Sequence, residues 1–257
     1  MSHELAAERQ QEITQMLKKE GKVIVSDLAK KYDVTFATIR RDLDILNEKD
    51  QLVRVHGGAI FPDFSTSFEP QYSEKSILNN ELKKRIGVIA ASLVKDGDTI
   101  YLDSGTTAFQ VAENLREKNN LKIITPDLKI GCLLATSINH EVILIGGKVR
   151  TNQFNCVGAI AQEIASDLNA DIYFLALDGF DLDRGVTVTD LQEAAIKKIM
   201  IESSKEVVAI TDHTKIGRIS MVSVCPLSKL DVLITDDSID KDVVREIEEM
   251  KIQVLLA

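Results

Sequence analysis

Apolar side chains recur every three or four residues along the first sixty positions, in three successive segments. The segment AAERQQEITQMLKKEG carries Ile13, Met16 and Leu17 at helical spacing and stops at Gly21. The segment VSDLAKKYDV follows, with Ser26 near its start in the position of an N-cap. Two short helices are therefore predicted before residue 35.

The third segment, FATIRRDLDIL, is amphipathic and carries two adjacent arginines. Thr35 precedes it as an N-cap. At about 100° per residue, one narrow stripe collects the apolar side chains Phe36, Ile39, Leu43 and Leu46. The opposite face is centred on Arg41, with Ala37, Thr38, Arg40 and Asp44 around it. One face is predicted to pack in a small core, and the other offers two cations, a hydroxyl and a small side chain.

A helix, a short turn and a second helix that begins with small and hydroxyl side chains are typical of a helix-turn-helix, whose recognition helix reads the major groove. Behind it, QLVRVHGGAIF alternates apolar and polar positions and turns at Gly57-Gly58, which predicts a β-hairpin wing. Arginine suits both guanine edges and phosphates, and the pattern does not decide which arginine does which. The candidate DNA-binding residues are Thr35, Ala37, Thr38, Arg40, Arg41, Arg54 and His56.

Periodicity is lost in the stretch FPDFSTSFEPQYSEKSILN, residues 61–79, which holds two prolines and four serines. Two interpretations remain open for it. It is a linker, or its aromatic side chains dock on a neighbouring domain; these are Phe61, Phe64, Phe68 and Tyr72.

From residue 80 onward, helical segments alternate with short runs rich in β-branched residues. The runs are DTIYLD, LKIIT, EVILIG, DIYFLAL, EVVAIT, DVLITD and KIQVLL. Continuous apolar strands between helices are typical of a mostly parallel sheet covered on both faces. An α/β fold of the Rossmann-like kind is predicted, and ligands of such folds bind at the carboxyl ends of the strands.

Polar and glycine-rich residues stand at five of those strand ends. After DTIYLD, the sequence DSGTT supplies hydroxyls and a helix N-terminus, which is suitable equipment for a phosphate, although G-x-x-x-x-G-K is missing. Each group taken alone is also an ordinary cap or turn, but five together predict a site. Its candidate residues are Asp103, Ser104, Gly105, Thr106, Thr107, Thr125, Asp127, Gly147, Lys148, Arg150, Asp178, Gly179, Asp181, Asp212 and Lys215.

The charge of the chain is unevenly placed. Its net charge is −9, yet residues 1–60 hold ten basic and ten acidic side chains, so the excess of acid lies in residues 61–257. Binding to nucleic acid therefore has to depend on local placement in the first segment. The remainder of the chain would repel a phosphate backbone.

Cysteine and histidine usage argues against a disulfide framework or a metal site. The three cysteines and four histidines are scattered, with no CxxC or HxxxH pair. The N-terminus has no apolar core of a signal peptide, and no run approaches the roughly 18 apolar residues of a membrane span. A cytoplasmic protein without a cofactor is expected.

Two stretches carry a resemblance to a known family. VTFATIRRDLDILNEKDQLVRVHGGA resembles the winged helix of DeoR-type bacterial regulators, V-S-x-x-T-I-R-R-D-L followed by R-x-H-G-G, with Thr35 in place of the usual serine. DSGTT, ITPDL, IGGKVR, ALDGFDLDRGVT and TDHTKIG resemble the sensor domain of the same family, where T-N-S or T-N-D is more usual than T-P-D. The resemblance implies a transcriptional regulator, usually a repressor, of a carbohydrate operon. It further implies operator DNA, a phosphorylated sugar and a homo-oligomer as partners.

Catalysis is the rival hypothesis, because the sensor segment is also similar to ribose-5-phosphate isomerases. Aldose–ketose isomerisation needs a carboxylate base. The resemblance places that glutamate's position at about Lys197, with Glu193 one helical turn away, and the glycine run of the enzymes is absent. Binding without turnover is therefore the preferred interpretation. The predicted organisation is a winged helix-turn-helix domain over residues 1–60, a linker over 61–79 and a sugar-phosphate-sensing domain over 80–257.

Overall fold

The computed structural model describes residues 2–20, 22–48, 52–55, 57–60, 66 and 69–257. The chain divides into two compact units. One comprises Met1–Ser65 with Ser73–Leu78, and the other comprises Thr66–Tyr72 with Asn79–Ala257. None of the described helices is long and apolar enough to cross a membrane.

The first unit begins with three helices and a three-stranded antiparallel sheet. Their bounds are α1 (Ser2–Glu20), β1 (Lys22–Ile24), α2 (Val25–Tyr32), α3 (Phe36–Glu48), β2 (Val53–Val55) and β3 (Gly58–Ile60). The strand order is β1-β3-β2. Apolar side chains from all three helices and from the strands make one small core, which includes Ile13, Leu28, Ile39, Leu43 and Leu46.

Two expectations about these helices are wrong. α2 begins at Val25 directly after β1, so Ile24 takes the N-cap position and the Ser26 hydroxyl contacts Asp27 instead. Phe36 is 55% exposed although it lies on the apolar stripe of α3. Phe36 is the first residue of α3, and helical periodicity fixes the inward face but not how far along the helix the core extends.

The wing forms, and Gly58 lies in a strand rather than in the turn. Val55 pairs with Gly58, so Gly58 belongs to β3, and Gly57 before it has a φ of +82°. Gly58 is needed for a different reason: a Cβ there would lie 2.0 Å from the Val23 carbonyl oxygen of β1. The sequence pattern also did not reveal strand β1.

A short helix, α4 (Tyr72–Ile77), lies inside residues 61–79. Six residues make less than two turns, which is too short for a periodic signal. Tyr72 is buried and meets Phe154 edge to face, so for this aromatic the docking alternative holds. Phe61, Phe64 and Phe68 lie outside the described residues.

Helices and strands alternate through the second unit. The helices are α5 (Asn80–Leu93), α6 (Thr106–Leu115), α7 (Leu128–Leu134), α8 (Ala159–Ser166), α9 (Leu191–Glu202) and α10 (Lys241–Glu249). The strands are β4 (Thr99–Leu102), β5 (Lys122–Thr125), β6 (Glu141–Leu144), β7 (Lys148–Val149), β8 (Cys156–Val157), β9 (Ala170–Ala176), β10 (Gly179–Asp181), β11 (Gly185–Val188), β12 (Ser204–Ile210), β13 (Val222–Cys225), β14 (Val232–Thr235) and β15 (Gln253–Leu256).

Within residues 69–257, seven of these strands form one parallel sheet in the order β15-β14-β12-β9-β4-β5-β6. Adjacent residues of a strand point to opposite faces of the sheet. Tyr101 and Tyr173 accordingly join one apolar core, while Ile100 and Phe174 join a second. The sheet is thus covered on both faces, as the continuous apolar runs predict.

Two small antiparallel sheets accompany the large one: β10-β11-β13 and β7-β8. Their strands have two to four residues, and the sequence pattern did not separate them from loops. They belong to segments that leave the carboxyl edge of the large sheet after β6, β9 and β12. They therefore border the predicted site.

Candidate nucleic-acid interface and effector site

The outward face of α3 carries most of the candidate DNA-binding residues. The Thr35 hydroxyl accepts the Thr38 backbone N–H at 3.2 Å, which confirms Thr35 as the cap, and the two hydroxyls lie 2.9 Å apart. Ala37, Arg40 and Arg41 are exposed. Small side chains at the start of the helix and cations one turn later leave this face open to a groove.

Arg54 of the wing is held by the recognition helix. Its Nε donates to Asp44 at 2.9 Å and its Nη1 donates to the Gly58 carbonyl at 2.8 Å. The guanidinium therefore ties β2 to both α3 and β3, with part of its surface still exposed. His56 lies outside the described residues.

Asp42 is a charged residue of α3 that the sequence pattern did not single out. It is buried, and its carboxylate accepts Arg9 Nε at 2.6 Å and Gln10 Nε2 at 2.9 Å. These two contacts hold α1 against α3 through the inward-facing carboxylate of Asp42. No spacing within α3 signals this, because the partners stand more than thirty positions away.

The carboxyl ends of the parallel strands collect the candidate effector residues. The chain runs outward from β4 through β5 to β6, then returns to β9 on the other side of β4 and continues through β12. The sheet thus reverses its winding between β4 and β9, and ligands of doubly wound sheets bind in the crevice at such a point. The loop after β4 and the loop after β9 border that crevice.

The loop after β4 presents a helix N-terminus. Gly105 has a φ of +116°, a conformation that favours glycine, and it precedes α6. Thr106 and Thr107 are half-buried first residues of α6, and N–H groups of a first helical turn have no partner inside the helix. These donors and hydroxyls suit an anion such as a phosphate.

Asp127 and Thr125 support that loop from behind. The Asp127 carboxylate caps α7 through the N–H groups of Lys129 and Ile130 and also accepts the Gly105 N–H at 3.0 Å. The Thr125 hydroxyl accepts the Asp127 N–H. Burial raises the pKa of Asp127, and the three backbone donors oppose that shift. Both side chains are wholly buried, so they shape the loop.

Asp103 is also turned inward. Its Oδ2 accepts Lys197 Nζ at 2.5 Å, the Tyr173 hydroxyl at 2.9 Å and the Ala176 N–H at 2.9 Å, and its Oδ1 accepts the Ser104 N–H. With its oxygens so engaged, Asp103 holds the ends of β4 and β9 together beneath the crevice.

Lys197 of α9 is a buried cation between two carboxylates. Its Nζ is 2.5 Å from Asp103 and 3.0 Å from Glu193. Burial opposes the charge, but Asp103 and Glu193 outweigh it and raise the pKa of Lys197. The ammonium group is therefore charged at neutral pH.

Arg150 continues this network away from the crevice. Its Nη1 donates to Glu193 at 2.5 Å, its Nη2 pairs with Glu69, and its Nε is 3.5 Å from Asp190. The guanidinium is mostly buried and enclosed by three carboxylates. Burial works against its charge, yet these carboxylates raise the pKa of Arg150.

The loop after β9 and its hairpin use their polar groups locally. The Asp178 carboxylate accepts the N–H and the hydroxyl of Thr189, both at 3.2 Å, and Asp181 caps the turn between β10 and β11. Gly179 is required by close packing, since a Cβ there would lie 2.5 Å from the Arg218 carbonyl oxygen.

Two strands from β4, the end of β12 carries Asp212 and Lys215. Adjacent strands are about 4.8 Å apart, which places this loop roughly 10 Å from the loop after β4. Asp212 accepts the Thr214 N–H and Asn79 Nδ2, the latter at 3.2 Å. The neighbouring His213 donates from Nδ1 to the Asp236 carboxylate at 2.8 Å, and Asp236 has a lowered pKa because its backbone and histidine partners outweigh burial.

The remaining candidates lie at the border of the crevice. Gly147 has a φ of +153° and packs against Val157, while Lys148 is exposed on β7. The structure joins Asp103, Ser104, Gly105, Thr125 and Asp127 in one hydrogen-bonded cluster. Lys148 takes no part in the hydrogen bonds that join these residues.

Asn155, just before β8, is a residue of this cluster that sequence reasoning missed. It is 3% exposed, its Nδ2 donates to Ser104 Oγ at 3.0 Å, and it forms a β-bridge with Asp127. Its Oδ1 is buried and has no hydrogen-bond partner among the described residues. A lone asparagine in QFNCVG carries no periodic signal, so only its fold position reveals it.

A surface hollow of about 560 Å³ lies elsewhere, at the C-terminal end of α6. Glu113, Arg116 and Glu117 contribute to its lining. It lacks the helix N-terminus and the strand ends described above. The crevice at the start of α6 is the better candidate on chemical grounds.

A winged helix-turn-helix followed by a doubly wound α/β domain with an anion-type loop defines a class of protein: a DNA-binding transcriptional regulator with a sensor domain. Residues 9–64 match the DeoR-like helix-turn-helix domain, and residues 78–237 match the DeoR C-terminal sensor domain. The chain belongs to the DeoR family, as its sequence motifs predict.

Relatives match over nearly the whole chain. The HTH-type transcriptional regulator GolR of Listeria innocua is 34% identical over 97% of this chain and 98% of its own length. The glycerol-3-phosphate regulon repressor of Escherichia coli is 31% identical over 97% and 98%. Among solved structures, ribose 5-phosphate isomerase A of Neisseria gonorrhoeae matches with a TM-score of 0.40 and 20% identity, covering 56% of this chain and 55% of that one.

Proposed function

We propose that this protein represses a carbohydrate-use operon and releases its operator when a phosphorylated sugar binds the sensor domain. The observation that carries the proposal is the presence, on one chain, of an arginine-bearing recognition helix and an anion-type loop at the switch point of a parallel sheet. One relative is named as the repressor of a glycerol-3-phosphate regulon, which supports a phosphorylated carbon compound as the effector.

The proposed DNA contacts are the exposed side chains at the start and middle of α3, with the wing alongside. Thr35, Ala37, Thr38, Arg40 and Arg41 face the major groove, and Arg54 and His56 reach the backbone or the minor groove from the wing. Two such modules in a homo-oligomer would match a repeated operator. A protein that binds operator DNA in a bacterium acts in the cytoplasm, where the DNA is.

The proposed phosphate contacts are the hydroxyls of Ser104, Thr106 and Thr107 and the backbone N–H groups of Thr106 and Thr107, while the N–H groups of Ser104 and Gly105 bind Asp103 and Asp127. Polar groups after β9 and β12 are proposed to bind the sugar hydroxyls, and Lys215 is proposed to lie near the phosphate. Asp103, Thr125 and Asp127 serve this site by holding its loop, since their oxygens already accept protein donors. In this proposal, residues 1–60 form the DNA-binding domain, residues 80–257 form the effector-binding domain, and residues 61–79 join them.

The sensor domain binds its ligand without turning it over. An isomerase base must accept a proton at neutral pH. At the position that the resemblance assigns to that base, Lys197 holds a charge-paired ammonium group, and the nearby Glu193 is bound by Lys197 and Arg150. A steady interconversion of ribose 5-phosphate and ribulose 5-phosphate by the purified protein would contradict this part of the proposal.

Thermal denaturation against a panel of ligands tests the effector. The panel contains inorganic phosphate, sn-glycerol 3-phosphate, ribose 5-phosphate, fructose 6-phosphate and the corresponding unphosphorylated sugars. A ligand that binds only the native state raises the Tm. At least one phosphorylated member should raise the Tm and its unphosphorylated counterpart should not; equal shifts from both would remove the phosphate from the recognition.

A further inference from the structure

The segment Thr66–Tyr72 belongs to the sensor unit, yet peptide bonds join it to the first unit on both sides. Ser65 precedes it and Ser73 follows it, and the chain re-enters the sensor unit at Asn79. Contacts that hold the segment Thr66–Tyr72 or the re-entry point Asn79 on the sensor unit therefore act directly on the chain that leads to the DNA-binding helices.

The first anchor is a loop that we call the coupling loop, residues 150–155, between β7 and β8. Arg150 forms an ion pair with Glu69, and both side chains are largely buried. The Tyr72 N–H donates to the Asn152 carbonyl at 3.0 Å, and Gln153 Nε2 donates to the Pro70 carbonyl at 3.0 Å.

Aromatic packing strengthens the same anchor. The rings of Tyr72 and Phe154 meet edge to face, with centroids 5.7 Å apart and planes at 85°. The ammonium group of Lys129 lies 4.5 Å from the Tyr72 centroid and 4.4 Å from the Phe154 centroid. The segment is thus fixed by charge, backbone and ring contacts to one short loop.

The other side of the coupling loop contacts the candidate effector site. Asn155 donates to Ser104 Oγ, and its Oδ1 is left buried without a partner among the described residues. Arg150 connects through Glu193 and Lys197 to Asp103, which precedes Ser104. The loop therefore has the phosphate-type loop on one side and the chain crossing on the other.

The backbone of the coupling loop is suited to a second arrangement. Asn152 and Phe154 have φ values of +64° and +62°, in the left-handed region. A bulky residue such as Phe154 rarely adopts that conformation unless its surroundings hold it there. The contacts with Tyr72 and Lys129 are such surroundings, so releasing them also relieves the backbone.

The point at which the chain re-enters the sensor unit is anchored at the same edge of the sheet. Asn79, with a φ of +52°, donates from Nδ2 to Asp212, a predicted effector residue after β12. The segment Glu69–Tyr72 and the re-entry point at Asn79 therefore both rest on residues of loops at the carboxyl edge, where the ligand is proposed to bind.

We propose that the coupling loop transmits effector binding to the DNA-binding unit, with Arg150 as a positioning residue that holds Glu69 rather than as a ligand contact. The inference rests on the proposed function. A phosphate at the start of α6 competes for the Ser104 hydroxyl, frees Asn155, and changes how the loop holds Glu69–Tyr72. A ligand shifts such an equilibrium by the difference in its affinity for the two arrangements.

The test uses the full-length protein carrying Glu69→Gln, which keeps the shape of the side chain and removes its charge. Operator DNA is obtained by selecting bound fragments from a random-sequence pool. Operator Kd is measured by fluorescence anisotropy with and without the sugar phosphate that gives the largest Tm shift. Wild type and E69Q should show the same ligand-induced Tm shift, whereas the ligand-induced change in operator Kd should fall at least threefold in E69Q.

The matched control is Glu202→Gln, which removes a carboxylate from an exposed ion pair with Lys229 on the same unit. It should respond as the wild type does. A full response of E69Q, equal to that of E202Q, would overturn the coupling role. If no phosphorylated ligand shifts the Tm of the wild type, the proposed effector is wrong, and the coupling is judged from operator Kd without ligand: an E69Q value equal to the wild-type value overturns it, and a difference of threefold or more supports it.

Discussion

Arg41 lies at the centre of the exposed face of α3, opposite the buried Ile39 and Leu43. If its guanidinium reads a base edge, Arg41→Ala should weaken operator binding by about 1–3 kcal/mol and relax the preference at one base pair. If it holds a phosphate, affinity should fall evenly across sequences. Anisotropy titrations of single-base operator variants distinguish the two outcomes.

The control for this prediction is Arg245→Ala on α10, an exposed arginine paired with Asp242. Its loss changes the net charge by the same amount at a site with no proposed DNA contact. Operator affinity of R41A that equals that of R245A would remove Arg41 from the interface.

Lys197→Met should destabilise the sensor domain because it leaves Asp103 buried without its cation. It also takes from Glu193 one of its two cations, the other being Arg150. Breaking one partner of a buried pair typically costs about 3–5 kcal/mol. Urea denaturation at pH 7 measures the free energy of unfolding, with the exposed neighbour variant Lys198→Met as control. Equal stabilities of the two variants would contradict the role of Lys197 in holding the strand ends.

The pH dependence of this stabilisation follows from the raised pKa of Lys197. A lysine whose folded-state pKa lies above its ordinary value of 10.5 contributes fully below that value and loses its contribution as the pH rises through the folded-state pKa. The difference in unfolding free energy between wild type and K197M should therefore stay constant through neutral pH and shrink only in strong alkali.

Single residues show where sequence reasoning succeeds. Thr35 is recognisable as a cap because its partner, the Thr38 N–H, is three positions away. Asp103 also stands where a ligand group is expected, but its partner Lys197 is 94 positions along the chain. Local spacing reveals local hydrogen bonds, whereas the inward turn of Asp103 depends on packing between distant elements.

At the scale of elements, the wing and the recognition helix act as one body through Arg54. Asp44 accepts Arg54 Nε and also places a negative charge beside Arg40 and Arg41. Asp44→Asn should tighten operator binding by roughly a few-fold at low salt, because it removes repulsion from phosphates and frees the wing arginine. The anisotropy assay at two salt concentrations measures this.

Weaker operator binding by Asp44→Asn would assign a different role to the Asp44–Arg54 pair. If Asp44→Asn weakens binding, the Asp44–Arg54 pair serves to position the wing, and Arg54 is not a direct DNA contact. Asp171→Asn supplies a control, since it removes a carboxylate from an exposed pair with Lys205 on the sensor.

The large elements were predictable because their periodicity is strong. The seven parallel strands and the helices between them coincide with the apolar runs and helical segments of the sequence, since a strand covered on both faces must be apolar throughout. Strands β7, β8 and β10 have two or three residues, which is too few for a pattern. The coupling loop escaped prediction for the same reason.

At the scale of the whole molecule, charge is distributed by unit. Residues 1–60 are neutral overall, and the remaining chain carries the net charge of −9. On the proposed contacts, DNA affinity is expected to depend on the few cations of α3 and the wing, with a salt dependence that reflects only a small number of phosphate contacts.

Regulation links the two units by a free energy that is the same in both directions. If a sugar phosphate lowers operator affinity by a given factor, operator DNA must lower sugar-phosphate affinity by that factor. In the proposed mechanism, the crevice at the start of α6 and the outward face of α3 are two sites of one equilibrium.

A phosphorylated sugar bound in this crevice is proposed to weaken operator binding. The most direct measurement is operator Kd by fluorescence anisotropy during titration with the phosphorylated ligand that raises the Tm, beside its unphosphorylated counterpart. We expect operator Kd to rise at least tenfold, about 1.4 kcal/mol of coupling, with the phosphorylated compound alone. An operator Kd that stays constant while that ligand saturates the protein would contradict the account.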